Sequence, residues 1–424
     1  MITLLPHQQA CLDQLEGKNR VAIYHDMGLG KTFTGSEKMV SLGTRVNLVV
    51  CQKSKVQDWI EHFQEHYDIV PFDLTKKGRL EGFLHWKDGQ PDHIGIKQCV
   101  GIINYDLIFR RPELMKLKNF TLMLDESSLI CNEQAKRSKA ILKMQPLNVI
   151  LLSGTPTAGK YEKLWSQCKL LGWDIKKQVF WNSYICTKWV DYGGFMQQVV
   201  TGYKHVEHLK KKLKEHGAVF LKTEEVLNLP EQIEQKIMLQ RSKEYNTFAR
   251  DGYIALPDGI EMFGDNSLTK MLYARQLCGQ YHTGKLEAFR DLLNSTDDNL
   301  VVFYCFNGEL DQLWKIAQDE GRRPGAVNGH QKDTVEGRDI LFVQYQAGAY
   351  GLNLQGFSNR IIYYSLPLGK GSCDMWEQSK KRIHRIGQDR TCFYYYLLVE
   401  NSIETVNLGR LKEGQDYTNY LFEG

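Results

Sequence analysis

Two stretches of the chain alternate short apolar runs, rich in β-branched residues, with segments of helical periodicity. In the first stretch the runs cover residues 21–24, 46–51, 99–103, 121–125 and 148–152. Between the second and third runs, apolar side chains recur at the spacing of one helix face, at Val56, Trp59, Ile60, Phe63 and Tyr67. Strands that are apolar throughout are buried on both faces, and their alternation with helices predicts a parallel sheet in an α/β layer fold.

The same alternation restarts later in the chain, which predicts a second lobe of the same class. Its apolar runs cover residues 300–306, 340–343, 361–365 and 393–399, whereas residues 200–285 are more polar and mostly helical in pattern. Pro230 disfavours helix at Leu229 and marks a boundary near this position. We therefore expect an N-terminal lobe of residues 1–225 and a C-terminal lobe of residues 226–424, with a helical insertion at about 240–285.

Composition narrows the class of protein without identifying it. The 424 residues are 42% hydrophobic and 25% charged, which is typical of globular proteins and excludes disordered, collagen-like and coiled-coil classes. A net charge of +4 is compatible with a nucleic-acid partner but does not require one. The ten cysteines form no C-x-x-C pair, and neither a signal peptide nor a long apolar run is present. We expect an intracellular protein, cytoplasmic or nuclear, with no membrane partner.

A phosphate-binding loop is predicted directly after the first apolar run. Residues 26–32 read DMGLGKT and precede a helical segment. Gly28 and Gly30 would let backbone N–H groups approach phosphate oxygens at a helix N-terminus, Lys31 would reach the β- and γ-phosphates, and the Thr32 hydroxyl would bind Mg²⁺. The strict motif has glycine where this chain has His25. A glycine-rich turn with an incidental lysine is the alternative interpretation.

Two carboxylates follow another apolar run and complete the prediction of an ATPase. The run at 121–125 ends in Asp125, and Glu126 is the next residue. Asp125 at the carboxyl end of a strand can hold the Mg²⁺ shell, while Glu126 is placed to orient or deprotonate an attacking water molecule.

Eight segments occur in an order that resembles one known family. They are LPHQQ at 5–9, DMGLGKT at 26–32, LVVCQKS at 48–54, IINYD at 102–106, LLSGTPT at 151–157, VFY at 302–304, QAGAYGLNL at 346–354 and WEQSKKRIHRIGQ at 376–388. This series resembles the motifs of the superfamily-two helicases, and specifically of the Swi/Snf-type DNA-translocating ATPases. Because the chain is little more than the two lobes, it is similar to compact bacterial or bacteriophage members.

The resemblance implies an architecture and a nucleotide site. Two RecA-like parallel-sheet lobes with helical insertions would enclose a nucleotide cleft that binds ATP and Mg²⁺. Gln8 would read the adenine edge and Gly351 would contribute to nucleotide binding. Arg382 and Arg385, three residues apart and expected on one helix face, would approach the γ-phosphate from the second lobe. A basic helix that only binds DNA phosphates is the alternative for these arginines.

The resemblance also implies a partner and its contacts. A monomer would bind double-stranded DNA through its phosphates, independently of base sequence, and would displace or remodel DNA-bound proteins. The candidate DNA contacts are Lys53, Ser54, Asn104, Tyr105, Ser153, Thr155 and Asn353.

The chain departs from the family pattern at two places near the expected site. His25 and Asp26 stand where the family commonly has Asp-Glu, and DESS at 125–128 replaces DEAH. The second departure weakens the usual link from this motif to residues 151–157, where Ser127 or Ser128 would supply a shorter hydrogen bond. Two other functions stay open: a strand-separating DNA or RNA helicase of a sister family, and a DNA-binding module without turnover.

Overall fold

The computed structural model describes residues 3–87, 98–157, 159–191, 196–226, 229–348, 352–369 and 371–422. The chain divides into two compact units. The first comprises residues 1–226 and 416–424, and the second comprises residues 227–415.

The first unit alternates strands and helices along the chain. Its strands are β1 (Arg20–His25), β2 (Val46–Cys51), β3 (Ile69–Asp73), β4 (Gln98–Asn104), β5 (Phe120–Asp125), β6 (Asn148–Leu152), β7 (Ile185–Asp191), β8 (Met196–Tyr203) and β9 (Ala218–Leu221). Its helices are α1 (Pro6–Gln14), α2 (Lys31–Ser41), α3 (Val56–His66), α4 (Lys77–Lys87), α5 (Tyr105–Ile108), α6 (Lys136–Lys143), α7 (Trp165–Leu170), α8 (Lys177–Tyr184) and α9 (Val206–Glu215). Short 3₁₀ turns occur at Lys53–Lys55, Pro112–Lys116, Ser127–Ile130, Tyr161–Leu164 and Thr223–Glu225.

Seven of these strands form a parallel sheet in the order β3-β4-β2-β5-β6-β1-β9. Ala22 and Tyr24 of β1 pack into the core on one face, and Val21 and Ile23 pack into the core on the other. The apolar runs are therefore buried on both sides, as predicted. Strands β5, β6 and β1 are neighbours, so the segments that follow them emerge side by side at one edge of the sheet. The remaining two strands, β7 and β8, form an antiparallel hairpin.

The second unit repeats this layer architecture. Its strands are β10 (Gln232–Leu239), β11 (Tyr253–Ala255), β12 (Glu261–Phe263), β13 (Leu300–Tyr304), β14 (Pro324–Val327), β15 (Ile340–Gln344), β16 (Arg360–Tyr363) and β17 (Cys392–Val399). Its helices are α10 (Lys243–Asp251), α11 (Ser267–Gly279), α12 (Thr283–Asn294), α13 (Asn307–Asp319), α14 (Tyr345–Gly348), α15 (Ser372–Lys380) and residues 403–415 of α16 (Ile403–Phe422). Six strands form a parallel sheet in the order β10-β17-β16-β13-β15-β14.

The predicted fold class, two α/β lobes built on parallel sheets, is confirmed. The stretch at 200–285 is less helical than predicted, because it contains β9, β10 and the antiparallel hairpin β11–β12. Ile254 and Met262 of that hairpin are buried against Phe248 and Leu277, so a small separate core makes the hairpin stable where the sequence pattern indicated only helix. None of the helices within the described residues is long and apolar enough to cross a membrane.

Candidate active site

The loop between β1 and α2 has the backbone that phosphate binding requires. Gly28 has φ +85°, and Gly30, the residue that caps α2, has φ +70°. This left-handed region is open to glycine and strained for other residues. A β-carbon on Gly30 would also collide with the side-chain nitrogen of Gln8. Both glycines predicted from the motif therefore lie where their lack of a side chain is needed.

Gln8 is buried against this loop at the start of α1. Its Nε2 donates to the Gly30 carbonyl at 3.2 Å, with the Leu29 carbonyl at 3.4 Å, and its Oε1 accepts the Leu5 amide at 2.8 Å. His7 pairs through Nε2 with the Leu29 carbonyl at 3.1 Å. The first turn of α1 thus fixes the loop from one side. The adenine contact of Gln8 stays a prediction.

Lys31 begins α2, and its ammonium group folds back over the loop. Nζ donates to the carbonyls of His25 at 3.0 Å and Asp26 at 3.1 Å. The same Nζ lies beside Gly154, at 3.5 Å from where a β-carbon on that glycine would stand. The LLSGTPT segment therefore adjoins the phosphate loop. Thr32 is the next residue of α2 and is partly exposed.

Asp26 connects the phosphate loop to the end of β9 and the turn that follows it. Its Oδ2 accepts the Thr223 hydroxyl at 2.8 Å, and its Oδ1 accepts the Met27 amide at 2.9 Å. The Asp26 amide in turn donates to the Leu221 carbonyl at the end of β9, at 2.8 Å. Hydrogen bonds made by Asp26 therefore hold the phosphate loop against residues 221–223.

Asp125 lies at the carboxyl end of β5. Its Oδ2 accepts the indole N–H of Trp59 at 2.9 Å. Burial raises the pKa of Asp125, and the hydrogen bond from Trp59 and the positive charges of Lys31 and Lys55 oppose that rise. The carboxylate is therefore stabilised by several groups that favour its charged form, the form that binds a divalent cation.

Glu126 has a left-handed backbone, with φ +56° and ψ +60°. A residue with a side chain is strained in this region, and such strain is held in place by surrounding contacts. The Tyr105 hydroxyl donates to the Asp125 carbonyl at 2.9 Å and lies 3.4 Å from the Glu126 carbonyl. The Ser153 hydroxyl lies 3.4 Å from Glu126 Oε2 and donates to it. These contacts set the direction in which the Glu126 carboxylate points.

The sequence left open whether Ser127 or Ser128 provides the link to residues 151–157. Ser127 provides it, but through a third residue. The Ser127 hydroxyl donates to Gln167 Oε1 at 2.8 Å, and Gln167 Nε2 donates to the Pro156 carbonyl at 2.7 Å. Gln167 lies on α7 and is fully buried. Sequence reasoning missed it, because Gln167 belongs to no motif and nothing in the sequence distinguishes it from Ser166 and Lys169, the other polar residues of the same helix.

His25 is a second residue whose environment was not predicted. It is fully buried at the end of β1, and neither ring nitrogen has a hydrogen-bond partner within the described residues. Burial, together with the nearby Lys31 and His7, lowers the pKa of His25 to about 3. The imidazole is therefore neutral at physiological pH.

The seven candidate DNA contacts divide by exposure. Lys53, Ser54 and Asn353 are exposed, whereas Asn104, Tyr105, Ser153 and Thr155 are buried. Tyr105 and Ser153 bond to the Asp125–Glu126 segment, as described above. The Ser153 hydroxyl also accepts the Thr155 amide at 3.1 Å. Only the first three side chains are presented to solvent.

In the second unit, Arg382 and Arg385 do not lie on a helix, contrary to the prediction. Helix α15 ends at Lys380, and both arginines follow it in a series of turns. Arg382 is 6% exposed; its Nε donates to the Gln378 carbonyl and its Nη1 to the Leu352 carbonyl, each at 3.0 Å. These two bonds fasten the turn to the preceding helix and to the segment that follows Gly351. Gly351 itself lies outside the described residues.

Arg385 is less enclosed than Arg382. Its Nη1 donates to the side-chain oxygen of Asn353, and burial lowers its pKa. The structure therefore brings two predicted residues together, one assigned to nucleotide and one to DNA. Asn353 is exposed, so this pair lies at the surface of the second unit.

The donor set at the phosphate loop fits Mg²⁺ held mainly by a nucleotide. Among the residues that the structure describes, no group of three or more His, Cys, Asp or Glu side chains could hold a metal ion. Mg²⁺ commonly binds through one or two protein oxygens together with substrate phosphates and water. Thr32 and Asp125 would supply the protein oxygens.

The chain is similar to several known proteins. A family model described as "SNF2-related domain" matches residues 12–282. The curated protein "DNA annealing helicase and endonuclease ZRANB3" of Bos taurus is 23% identical over 99% of this chain and 41% of that protein. "Uncharacterized ATP-dependent helicase YqhH" of Bacillus subtilis is 22% identical over 95% of this chain and 76% of that protein.

"DNA repair and recombination protein RAD26" of Saccharomyces cerevisiae is 26% identical over 91% of this chain and 38% of that protein. The chain therefore spans about two fifths of the length of the first curated relatives it matches. A solved structure described as "Sulfolobus solfataricus SWI2/SNF2 ATPase core in complex with dsDNA" is 16% identical, with a TM-score of 0.43 and coverage of 99% of this chain and 93% of that one. The family model covers more than half of the chain, and the chain therefore belongs to the family of proteins with an SNF2-related domain.

Proposed function

We propose that the chain hydrolyses ATP with Mg²⁺ and couples hydrolysis to movement along duplex DNA, displacing or remodelling proteins bound there. The observation that carries this proposal is the placement of Lys31 after β1 and of Asp125 and Glu126 at the end of β5, two strands of one parallel sheet that are separated only by β6. All three residues therefore lie at the carboxyl ends of the strands, where parallel sheets bind ligands. The relatives whose names include helicase favour the same activity.

The residues of the first unit have distinct proposed roles. The backbone of Gly28 and Gly30 and the Lys31 ammonium would bind the phosphates, and Thr32 and Asp125 would hold Mg²⁺, which neutralises charge on the phosphate oxygens. Glu126 would orient a water molecule and accept its proton. A positioned base of this kind contributes about 10²–10⁴-fold in rate.

Arg385 is the proposed arginine that stabilises the transition-state charge. Arg382 has its donors on the carbonyls of Gln378 and Leu352, which favours a role in holding the turn that carries Arg385. An arginine supplied to the phosphate is worth about 10³–10⁵-fold in turnover in nucleotide hydrolases.

Duplex DNA is the proposed polymer, bound through its phosphates. The exposed side chains of Lys53, Ser54 and Asn353 are the proposed contacts, whereas Tyr105 and Ser153 are proposed to hold the Asp125–Glu126 segment. Binding through phosphates releases counterions, so affinity should fall steeply as salt rises. Lys53→Ala should weaken DNA binding and lower the salt dependence by about one ion, as expected for one lost phosphate contact. The control is Lys139→Ala on α6, which removes another exposed lysine.

Phosphate release measured without polymer, with duplex DNA, with single-stranded DNA and with RNA tests the proposal. Duplex DNA should stimulate release most, Lys31→Ala should weaken ATP use, and Glu126→Gln should leave nucleotide binding largely intact while stopping turnover. Stimulation by RNA alone would favour a strand-separating helicase of the sister family. Absence of hydrolysis with every polymer, together with retained DNA binding, would favour the module without turnover. Near-normal hydrolysis by Glu126→Gln would mean that the base is wrongly assigned.

A further inference from the structure

We propose that Gln167 is a positioning residue for hydrolysis, which holds the segment around Glu126 and the segment 153–156 in one fixed register. The proposal rests on the function proposed above. The DESS sequence at 125–128 weakens the family's usual link to residues 151–157, and Gln167 restores that link. Three hydrogen bonds made by its buried side-chain amide support this role.

Both polar atoms of the Gln167 side chain bond to segments next to the candidate site. Oε1 accepts the Ser127 hydroxyl at 2.8 Å and the Tyr24 hydroxyl at 2.9 Å, and Nε2 donates to the Pro156 carbonyl at 2.7 Å. Gln167 is 0% exposed, so water does not compete for these groups. One amide therefore connects the end of β1, the segment after β5 and the segment after β6.

Each of the three partners lies close to a residue with a proposed chemical role. Ser127 follows Glu126 directly, so its bond limits where the strained Glu126 backbone can move. Pro156 lies three residues after Ser153, whose hydroxyl donates to the Glu126 carboxylate. Tyr24 precedes His25, whose carbonyl accepts the Lys31 ammonium. A shift of the amide would move the carboxylate and its serine partner relative to each other.

The substitution Gln167→Glu separates positioning from packing. A carboxylate at this position keeps nearly the same volume and can accept from Tyr24 and Ser127, but it cannot donate to the Pro156 carbonyl. We expect DNA-stimulated kcat to fall by about 10–100-fold, as for a small misplacement of catalytic groups. Binding of a fluorescent ATP analogue and the KM for ATP should change less than about twofold, because the substitution leaves every group proposed to bind phosphate in place.

Two further variants complete the test. Gln178→Glu makes the same chemical change on the exposed side of α8, where Gln178 bonds only to Asn182 among the hydrogen bonds of the described residues, and it should behave as the unsubstituted protein. Ser127→Ala removes one of the three bonds without adding charge. It should lower kcat in the same direction, and it keeps the proposal testable if Gln167→Glu does not fold.

The outcomes distinguish this proposal from the function on which it rests. If the unsubstituted protein releases no phosphate with any polymer, the proposed function fails and this proposal fails with it. If that protein is active and both folded variants match its kcat, only the role of Gln167 is overturned. A lower melting temperature with unchanged kcat per folded molecule would assign Gln167 to packing alone.

Discussion

The indole nitrogen of Trp59 donates a hydrogen bond to a carboxylate oxygen of Asp125 at 2.9 Å. Trp59 lies on the face of α3 that was predicted to pack in the core, and Asp125 lies at the end of β5. The bond therefore joins a core residue to the proposed Mg²⁺ ligand. The indole is 3% exposed and stacks on Phe63. Trp59 therefore packs in the core and also supports the charge of the site.

Trp59→Phe should raise the Mg²⁺ concentration needed for phosphate release. The hydrogen bond lowers the pKa of Asp125, and its loss adds to the rise that burial already causes. Protons would then compete with Mg²⁺ more strongly as the pH falls. Loss of such a supporting contact typically weakens metal binding about 10–100-fold. Mg²⁺ titrations near pH 6 and near pH 8 measure the effect, which should be larger near the lower pH.

The control for this variant is Trp189→Phe, since Trp189 is 63% exposed on the β7–β8 hairpin. An unchanged Mg²⁺ requirement in Trp59→Phe at both pH values would show that the indole only packs.

Gly30→Ala should weaken ATP binding beyond the effect of backbone strain. Gly17 has φ +71°, nearly the same as Gly30 at φ +70°, but a β-carbon on Gly17 would meet nothing within 4 Å. Gly17→Ala is therefore a matched control for strain, which costs about 1 kcal/mol. Only Gly30→Ala would displace Gln8 from the loop. Equilibrium binding of an ATP analogue and urea unfolding should show a loss of affinity in Gly30→Ala alone, and equal affinity in both variants would contradict the role of Gln8.

His25→Leu should make the protein less sensitive to acid. The pKa of His25 is about 3 in the folded state, against 6.5 for an ordinary histidine. The unfolded chain therefore binds a proton that the folded chain does not, and folding stability is lost as the pH falls from 6.5 toward 3. The slope from one such group is at most about 1.4 kcal/mol per pH unit. Leucine also removes two buried ring nitrogens that have no hydrogen-bond partner in the part of the chain that the structure describes, so stability should rise at neutral pH.

Urea midpoints across this pH range, without nucleotide, measure the change. His85→Leu on α4, where the histidine is exposed, is the control. Identical acid slopes in His25→Leu and the unsubstituted protein would place the acid sensitivity elsewhere.

Substitution of Arg385 should affect turnover, whereas substitution of Arg382 should affect stability. Arg385→Gln should lower kcat by about 10³-fold or more and leave duplex binding and stability nearly unchanged. Arg382→Gln should lower the free energy of unfolding by about 1–3 kcal/mol, because the two carbonyls it serves lose their donors. Steady-state turnover, DNA binding at low salt and urea unfolding separate the two effects. The control is Arg390→Gln at an exposed position. A greater loss of DNA binding than of turnover in Arg385→Gln would assign this arginine to DNA phosphates.

The strands at the centre of each sheet were predictable, and those at the edges were not. Runs such as 46–51 and 148–152 match β2 and β6, because a strand with neighbours on both sides and helices on both faces is apolar throughout. Strands β3 and β14 lie at sheet edges and contain Pro71 and Pro324, which an edge tolerates because it lacks one neighbour. Strand β10, also at an edge, has mostly exposed and half-buried residues, so its sequence lacks a continuous apolar run.

The positions of the candidate site residues in the fold were predictable where those residues directly follow a strand. Lys31, Thr32, Asp125 and Glu126 are placed by their distance from an apolar run, and the sequence contains that distance. Trp59, Tyr105 and Gln167 act through bonds to distant residues: Trp59 and Asp125 are 66 positions apart, Tyr105 and Asp125 are 20 apart, and Gln167 and Ser127 are 40 apart. No local pattern encodes such a bond, since it depends on how strands are ordered in the sheet.

Asp26 and Thr223 give the phosphate loop a mechanical connection to the place where the chain leaves its first unit. Thr223 lies three residues before Val226, the last residue of the continuous segment assigned to that unit. A bound triphosphate that displaced Asp26 would therefore also displace Thr223, because their side chains share a hydrogen bond. Binding and release of the triphosphate would in this way change the position of residues 223–226 in each cycle.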